Sequence, residues 1–236
     1  MKNLKAIILA GGLGTRLRPI TYEIPKPLLT VKKKPIINYL IELFLRYDIS
    51  EIGVLTNNEN KDDFVFWQKN LSDNLASKIQ LFFSEKRRGT FGELEYVKDW
   101  LGDNTRFILS NGDELKDFDL KNLFDFHNEH RPIGTIALVH VPNPHEYGVP
   151  ILENHIIKEF LEKPQNPPSN FISSGLYILE SEIFNYADFS KEILMIEKDI
   201  FPKLANEGKL IGLKMEGGKW CDCGTLERWE RAIKDW

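Results

Sequence analysis

The sequence predicts an α/β fold in three layers, in which helices cover both faces of a mixed, mostly parallel central sheet. Apolar runs of strand length alternate with amphipathic stretches through the first half of the chain. A glycine-rich loop follows the first run, and strand patterns follow one another directly after residue 131. With 236 residues, 42% of them hydrophobic, the chain can bury a sizeable core.

The elements of the first half follow from apolar spacing. Lys5–Ala10 is a short apolar run that stops at glycine, which predicts a buried strand. In Pro35–Tyr47 the apolar side chains recur at helical spacing, and proline suits a first helical turn. The alternation then continues through the strand Glu51–Thr56, a helix near Lys61–Asn70, the strand Ile79–Phe83, a helix near Phe91–Leu101 and the strand Arg106–Ser110. This β-α-β order predicts parallel strands.

The second half changes rhythm. The stretches TIALVHV, YGVPILE and HIIKEFLE predict consecutive strands that extend the sheet with mixed directions. The segment Pro164–Asn170 is rich in proline and predicts a loop. Two helices are expected near the end of the sequence, at Glu197–Gly208 and Thr225–Ile233.

Composition excludes several classes of partner. The net charge of −4 shows no basic excess, so we expect no nucleic acid. No apolar run approaches the roughly 20 residues that cross a bilayer, so we expect no membrane span. Two cysteines are too few for a disulfide framework and suit a reducing compartment, which predicts a cytoplasmic protein.

The loop after the first strand has the chemistry of an anion site. Gly11, Gly12 and Gly14 allow backbone N–H groups to approach a ligand, while Arg16 and Lys26 add positive charge. A nucleoside triphosphate is the anion that this charge favours. The spacing matches neither the dinucleotide fingerprint G-x-G-x-x-G nor the P-loop. The alternative is a glycine-rich turn with solvated basic side chains.

The stretches LAGGLGTRLRPIT and PKPLL resemble the signature of sugar-1-phosphate nucleotidyltransferases. Further stretches resemble the family's motifs in the family's order: GTFGEL, NGDEL, YGVPIL, EKP, SSGLYIL and WCDCGT. The segment Met195–Leu210 is most similar to mannose-1-phosphate guanylyltransferases. Members of the family make NDP-sugars from an NTP and a sugar 1-phosphate and release pyrophosphate.

This resemblance implies a Rossmann-like fold and one catalytic domain over residues 1–236. The nucleotide-binding part is expected at about 1–130 and the sugar-binding part at about 131–236. GTP and mannose or heptose 1-phosphate are the favoured substrates. Larger relatives continue into a hexapeptide β-helix, and assembly through such a domain is not expected for this sequence. Whether the protein forms a homo-oligomer stays open.

The resemblance also implies a magnesium site on Asp113 and Asp222. Asp113 ends a predicted central strand, and two carboxylates with phosphate oxygens and water suit Mg²⁺. If the segment around Asp222 is a strand, Trp220 shares its face and the two cysteines share the other face. The alternative for Asp113 is a residue in a turn without a metal. The alternative for the two cysteines is half a metal site, but packing in the core is the better interpretation.

The remaining site residues are carried over from the family's motifs. Arg16 and Lys26 are expected to contact the phosphates and so act with the two aspartates in catalysis. The expected nucleotide-binding residues are Leu9, Ala10, Gly11, Gly12, Gly14, Thr15, Glu85, Gly89 and Thr90. The expected sugar-phosphate-binding residues are Tyr147, Gly148, Glu162, Lys163, Ser174 and Glu197.

Glu85 is expected to read the base. A carboxylate accepts two hydrogen bonds, and guanine offers two adjacent donors, whereas a pyrimidine offers one. Two alternatives stay open. One is a uridylyl-, thymidylyl- or cytidylyltransferase for another sugar or polyol phosphate, and the other is a nucleotide-sugar sensor without catalysis.

Overall fold

The computed structural model describes residues 4–236. Its strands are β1 Lys5–Leu9, β2 Thr30–Val31, β3 Lys34–Pro35, β4 Glu51–Asn57, β5 Ile79–Ser84, β6 Arg106–Asn111, β7 Glu114–Asp117, β8 Gly134–His140, β9 Gly148–Glu153, β10 Ile156–Glu162, β11 Phe171–Glu180, β12 Leu210–Lys214 and β13 Lys219–Asp222. Its α-helices are α1 Ile36–Arg46, α2 Lys61–Lys69, α3 Asp73–Ala76, α4 Gly89–Gly92, α5 Lys98–Leu101, α6 Leu120–His130, α7 Phe201–Asn206 and α8 Leu226–Asp235.

Across residues 4–236 a nine-stranded mixed sheet has the order β5-β4-β1-β6-β11-β8-β12-β10-β9. β1 pairs in parallel with β4, and β4 with β5. β8 pairs in parallel with β12 and antiparallel with β11, and β10 pairs antiparallel with β9. The predicted α/β fold with a mixed sheet is confirmed. No helix in the described part of the chain is long and apolar enough to cross a membrane.

The chain divides into two compact units that interleave in sequence. The first comprises residues up to Arg87, Ser110–Phe118 and Gly218–Trp236. The second comprises Arg88–Leu109 and Asp119–Gly217. The predicted division of the chain near residue 130 into nucleotide-binding and sugar-binding parts stays a prediction.

In the first unit, the turn after β6 lies directly on the end of β1. The N–H of Gly112 donates to the carbonyl of Leu9 at 2.9 Å. A Cβ at Gly112 would lie 2.7 Å from the Cγ2 of Ile8, so a side chain has no room there. Glycine is therefore needed for this close approach, which places Asp113 next to the loop that follows β1.

Two predicted helices differ from the structure. Instead of one helix over Phe91–Leu101, the second unit has α4, a 3-10 turn at Glu93–Val97 and then α5. Instead of one helix over Glu197–Gly208, a π-helical turn at Ile196–Ile200 precedes α7. Pro202 lies in the first turn of α7, and a proline has no N–H to continue the preceding helical bonds.

Several elements were not predicted from apolar spacing, among them α6, β11 and β12. The helix α6 carries a capping signal, because the side chain of Asp119 accepts hydrogen bonds from the N–H groups of Lys121 and Asn122. The strand β11 is interrupted by a register shift between Ser173 and Tyr177, which hides its period of two.

Candidate active site

Two side chains hold the loop after β1 by donating hydrogen bonds to its carbonyl oxygens. Thr21 donates to the carbonyl of Gly14 at 2.8 Å, and Asn57 donates to that of Gly11 at 3.0 Å. Gly14 has φ +58°, a conformation that favours glycine, and a Cβ there would meet the methyl group of Thr21 at 2.8 Å. A Cβ at Gly12 would meet no atom within 4 Å, so this part of the loop faces open space.

The predicted catalytic residues of the first unit form one cluster. The Nζ of Lys26 lies 2.7 Å from the Oδ2 of Asp113 and 3.5 Å from the Oδ1 of Asp222. The Lys26 side chain is only 8% exposed, and a buried ammonium requires such partners. Because both carboxylates reach one nitrogen, residues far apart in sequence meet at a single point.

Arg16 joins this cluster at Gly224. A Cβ at Gly224 would lie 2.7 Å from the Oδ1 of Asp222 and 2.8 Å from the Nη2 of Arg16. The absence of a side chain at Gly224 therefore leaves room for the carboxylate and the guanidinium to approach each other. All four predicted catalytic residues lie in the first unit.

Charges within the cluster shift its pKa values. Burial lowers the pKa of Lys26, but the carboxylates of Asp113 and Asp222 outweigh it and hold that pKa above its usual value. For Asp113, burial opposes ionisation, yet the Lys26 ammonium holds the pKa of the carboxyl below its usual range. Lys26 and Asp113 thus favour each other's charged forms, and the same ammonium also lies near Asp222.

The two-stranded sheet of β7 and β13 sets the direction of Asp222. Asp222 pairs with Glu114, and Trp220 with Lys116. The indole N–H of Trp220 donates to Glu114 at 2.9 Å, on the face that carries Asp222. Both cysteines instead belong to an apolar cluster that includes Leu29, Val31, Leu115 and Ala232. The predicted division of the two faces and the core role of the cysteines are both confirmed.

Sequence reasoning missed a second layer of charge beneath the cluster. The carboxylate of Glu114 lies 3.1 Å from the Nζ of Lys116, which is fully buried and also donates to the carbonyl of Asn111. Burial raises the pKa of Glu114 above its usual value, and the nearby Asp113 and Asp222 raise it further. Only the pairing of β7 with β13 reveals these contacts.

Arg228 was also missed. Its Nη1 lies 2.7 Å from the Oδ2 of Asp222, whereas the closest contact of Lys26 is with Oδ1. One signal was available in the sequence, because Arg228 is a cation in the first turn of a predicted helix. The helix dipole disfavours a cation there, so a local carboxylate partner is expected.

The donor set fits a magnesium ion in part. In residues 4–236 no group of three or more histidine, cysteine or acidic side chains is arranged to hold a metal. Asp113 and Asp222 together offer carboxylate oxygens, and Mg²⁺ commonly takes one or two carboxylates with phosphate oxygens and water completing its shell. The two aspartates fit that arrangement, and Lys26 now shares the same oxygens.

The other nucleotide-binding candidates fall into both units. In the first unit, Leu9 ends β1, Ala10 follows it, Thr15 begins a 3-10 turn, and Glu85 is exposed just after β5. In the second unit, Gly89 has φ +80° at the start of α4.

Thr90 is tied to a predicted sugar-site residue. Its hydroxyl donates to Glu197 at 2.8 Å and accepts from the N–H of Ile196 at 3.0 Å. Burial raises the pKa of Glu197 above its usual value. These contacts lie within the second unit and hold the Glu197 carboxylate in place.

Other predicted sugar-site residues meet at the end of β10. The N–H of Lys163 donates to the carbonyl of Tyr147 at 3.1 Å, and its Nζ lies 3.5 Å from Glu162. A Cβ at Gly148 would lie 2.4 Å from the ring of Phe160, so only glycine fits beside it. Glycine here lets the strand pass close to Glu162.

Ser174, another predicted sugar-site residue, lies within the sheet. The side chain is fully buried, and its hydroxyl donates to the carbonyl of Ala137 in β8 at 2.8 Å. Its role at the sugar site stays a prediction. Its neighbour Ser173 is half-buried, and Gly175 with φ +64° marks the irregularity of β11 at this point.

Known proteins resemble this chain over most of its length. The Nucleotidyl transferase family matches residues 5–236. Mannose-1-phosphate guanyltransferase beta-B of Xenopus laevis is 35% identical over 94% of this chain and 61% of its own length. Mannose-1-phosphate guanyltransferase of Kluyveromyces lactis is 36% identical over the same shares. The chain thus spans about three fifths of the curated relatives that it matches.

A solved structure has the same fold as this chain. A Bacillus anthracis protein, described as a glucose-1-phosphate thymidylyltransferase and crystallised with sucrose, superposes with a TM-score of 0.85 and 29% identity. The match covers 98% of this chain and 94% of the other. Together with the family match over nearly all residues, this establishes that the chain belongs to the nucleotidyl transferase family.

Proposed function

We propose that the protein transfers a guanylyl group from GTP to mannose or heptose 1-phosphate, giving a GDP-sugar and pyrophosphate. The observation that carries the proposal is the cluster of Lys26, Asp113 and Asp222, which lies beside Arg16 in the unit that contains the first loop. Cations and a pair of carboxylates at this point suit an anionic nucleotide tail together with a divalent ion.

The reaction requires positioning and charge stabilisation more than a proton acceptor. A phosphate oxygen of the sugar 1-phosphate attacks the α-phosphorus in line, and the bond to pyrophosphate breaks. The attacking oxygen is already an anion at pH 7, so no general base is required. The anomeric C–O bond is untouched, and its configuration persists.

Each cation has a separate role in this proposal. Arg16 contacts the β- and γ-phosphates and stabilises the charge of the departing pyrophosphate. Lys26 contacts the α-phosphate region, and to reach it the ammonium moves away from the carboxylates of Asp113 and Asp222. The N–H groups of the loop from Leu9 to Thr15 hold the remaining phosphate oxygens.

Asp113 and Asp222 would hold Mg²⁺, which supplies charge neutralisation between nucleotide and sugar phosphate when bound. Lys26 already lies between the same carboxylates, which shows that this point tolerates a cation. Asp222 also keeps Arg228 on its second oxygen. The residues of the chain thus hold and orient the two aspartates.

Glu85 is proposed to accept hydrogen bonds from the N1–H and N2–H groups of guanine. The relatives named as mannose-1-phosphate guanyltransferases support GTP, whereas the thymidylyltransferase among the solved structures keeps a pyrimidine nucleotide as the alternative. A Glu85→Gln variant tests the assignment, because an amide both donates and accepts. We expect it to lower the preference for GTP over UTP.

In the second unit, Glu162 and Glu197 are proposed to accept sugar hydroxyls, with Tyr147 and Gly148 beside them. Lys163 is proposed to contact the phosphate of the sugar, since its side chain is 64% exposed and free to extend. Thr90 holds Glu197 in position.

The enzyme is proposed to work in the cytoplasm. Light scattering would measure how many subunits it has in solution.

Pyrophosphate release across a panel of nucleotides and sugar phosphates tests the proposal. The panel pairs GTP, UTP, dTTP, CTP and ATP with mannose, heptose, glucose and amino-sugar 1-phosphates in magnesium. Release only with GTP and mannose or heptose 1-phosphate is the expected result. Turnover with another nucleotide supports the alternative transferase, and tight binding of a GDP-sugar without any release supports the sensor.

A further inference from the structure

Arg228 lies in an electrostatically unfavourable position that its helix alone does not explain. The helix α8 starts after Thr225, whose side chain accepts a hydrogen bond from the N–H of Arg228 at 3.3 Å. This bond fixes Arg228 in the first helical turn. Because the positive end of the helix dipole lies there, a cation in that turn is disfavoured unless another group compensates it.

Asp222 contacts the guanidinium, whereas the acidic residue of the same turn, Glu227, is exposed. The Nη1 of Arg228 lies 2.7 Å from the Oδ2 of Asp222, and the two side chains are 17% and 7% exposed. The other oxygen, Oδ1, lies 3.5 Å from the Nζ of Lys26. Arg228 and Lys26 thus make their closest contacts with different oxygens of one carboxylate.

This division fixes the rotation of the carboxylate. A guanidinium is planar and presents its N–H groups in a rigid fork, so it holds an oxygen in a defined direction. Gly224 directly precedes the helix cap, and a Cβ there would lie 2.7 Å from the Oδ1 and 3.2 Å from the Oδ2 of Asp222. The backbone at Gly224 and the guanidinium of Arg228 thus confine Asp222 together.

We propose that Arg228 is a positioning residue, which keeps the Oδ2 of Asp222 occupied and presents its Oδ1 to a divalent cation shared with Asp113. The inference rests on the proposed function, because that function places the cation on these two aspartates. Groups that orient metal ligands commonly change metal affinity or activity 10- to 100-fold when removed.

The competing role is a structural one, in which Arg228 only ties α8 to β13. The two roles predict different measurements. A structural tie changes the free energy of unfolding without changing the affinity of the folded protein for metal. A positioning role changes the affinity for metal in protein that remains folded.

The experiment measures Mn²⁺ binding by electron paramagnetic resonance, without nucleotide or turnover, alongside thermal unfolding. The variants are Arg228→Met, Arg228→Lys and Asp222→Asn. The matched control is Arg231→Met, which makes the same change at an exposed position of the same helix. Arg228→Lys keeps the positive charge but lacks the planar set of N–H groups of the guanidinium. It therefore tests the same proposal if Arg228→Met does not fold.

We expect Arg228→Met to weaken Mn²⁺ binding about 10-fold or more and Arg228→Lys to recover part of it. Arg231→Met should bind Mn²⁺ like the wild type. Unchanged or tighter Mn²⁺ binding by folded Arg228→Met or Arg228→Lys, with binding lost in Asp222→Asn, overturns the positioning role alone. Retained binding in Asp222→Asn shows instead that the proposed metal site is wrong.

Discussion

Replacement of Lys26 by methionine is the most direct test of the charge cluster. Methionine keeps about the length of the side chain and its apolar stem but removes a charge that both Asp113 and Asp222 contact. Without the ammonium, two carboxylates remain close together with less compensation. The variant should therefore be less stable than the wild type in the absence of divalent metal.

The structure sets the size of this loss. Removing one partner of a buried ion pair costs about 3–5 kcal/mol, because the other charge stays buried. Two features reduce the cost here: the Asp113 side chain is 35% exposed, and Asp222 retains Arg228. We therefore expect a loss of about 2–3 kcal/mol in the free energy of unfolding, below the range for a fully buried pair.

Urea unfolding measures this loss, and a magnesium titration tests its cause. Because Mg²⁺ can take the place of the lost cation, it should stabilise Lys26→Met more than the wild type. The matched control is Lys158→Met, which breaks an exposed ion pair with Glu153 and should cost much less stability than the change at Lys26. If the Lys26 variant is no less stable than this control, or if magnesium stabilises both proteins equally, the electrostatic reasoning is wrong.

Three further predictions concern the site and the second unit. Asp113→Asn should lower pyrophosphate release by about 100-fold or more in protein that remains folded, although losing the ion pair with Lys26 lowers its stability; near-normal release in magnesium contradicts the assignment. Gly224→Ala should displace Asp222 or Arg16, because the new Cβ would lie within 2.8 Å of both, and turnover of the folded variant should fall more than its stability. Burial, aided by a nearby arginine, holds the pKa of His127 below its usual value, so the unfolded chain binds a proton more readily. Stability present above about pH 6.5 should therefore be lost as the pH falls further, and His127→Gln should flatten this dependence in urea unfolding between pH 7.5 and 5; an equally steep dependence in the variant refutes it.

Local chemistry accounts for what could be predicted. The apolar run of β1 and the glycines after it specify a strand and an open loop from their own conformational preferences. The period of two around Asp222 placed Trp220 on the face of the carboxylate and the cysteines on the other, and the structure confirms both. The family match confirms the resemblance that the motifs indicated.

The prediction of one helix over Phe91–Leu101 was wrong because tertiary contacts compete with local preference. The helix is broken, and the N–H groups of Phe91 and Gly92 bond to Leu194 instead. The hydrogen bond from the Ser174 hydroxyl to the carbonyl of Ala137, at an irregular point of β11, was not predicted at all. Neither outcome can be inferred from a period of two or of 3.6, since each depends on a distant segment.

The sequence by itself determined the kinds of group available at the candidate site: glycines for close approach, cations for phosphate and carboxylates for a metal. Only the tertiary structure decided which of them meet. Lys26 and Asp113 are 87 residues apart, and Trp220 and Glu114 are 106 apart. Such pairs form because strand order and the pairing of β7 with β13 bring their backbones together. Hydrogen bonds and ion pairs act only over a few ångströms, so the spacing of residues along the chain does not indicate which distant groups will meet.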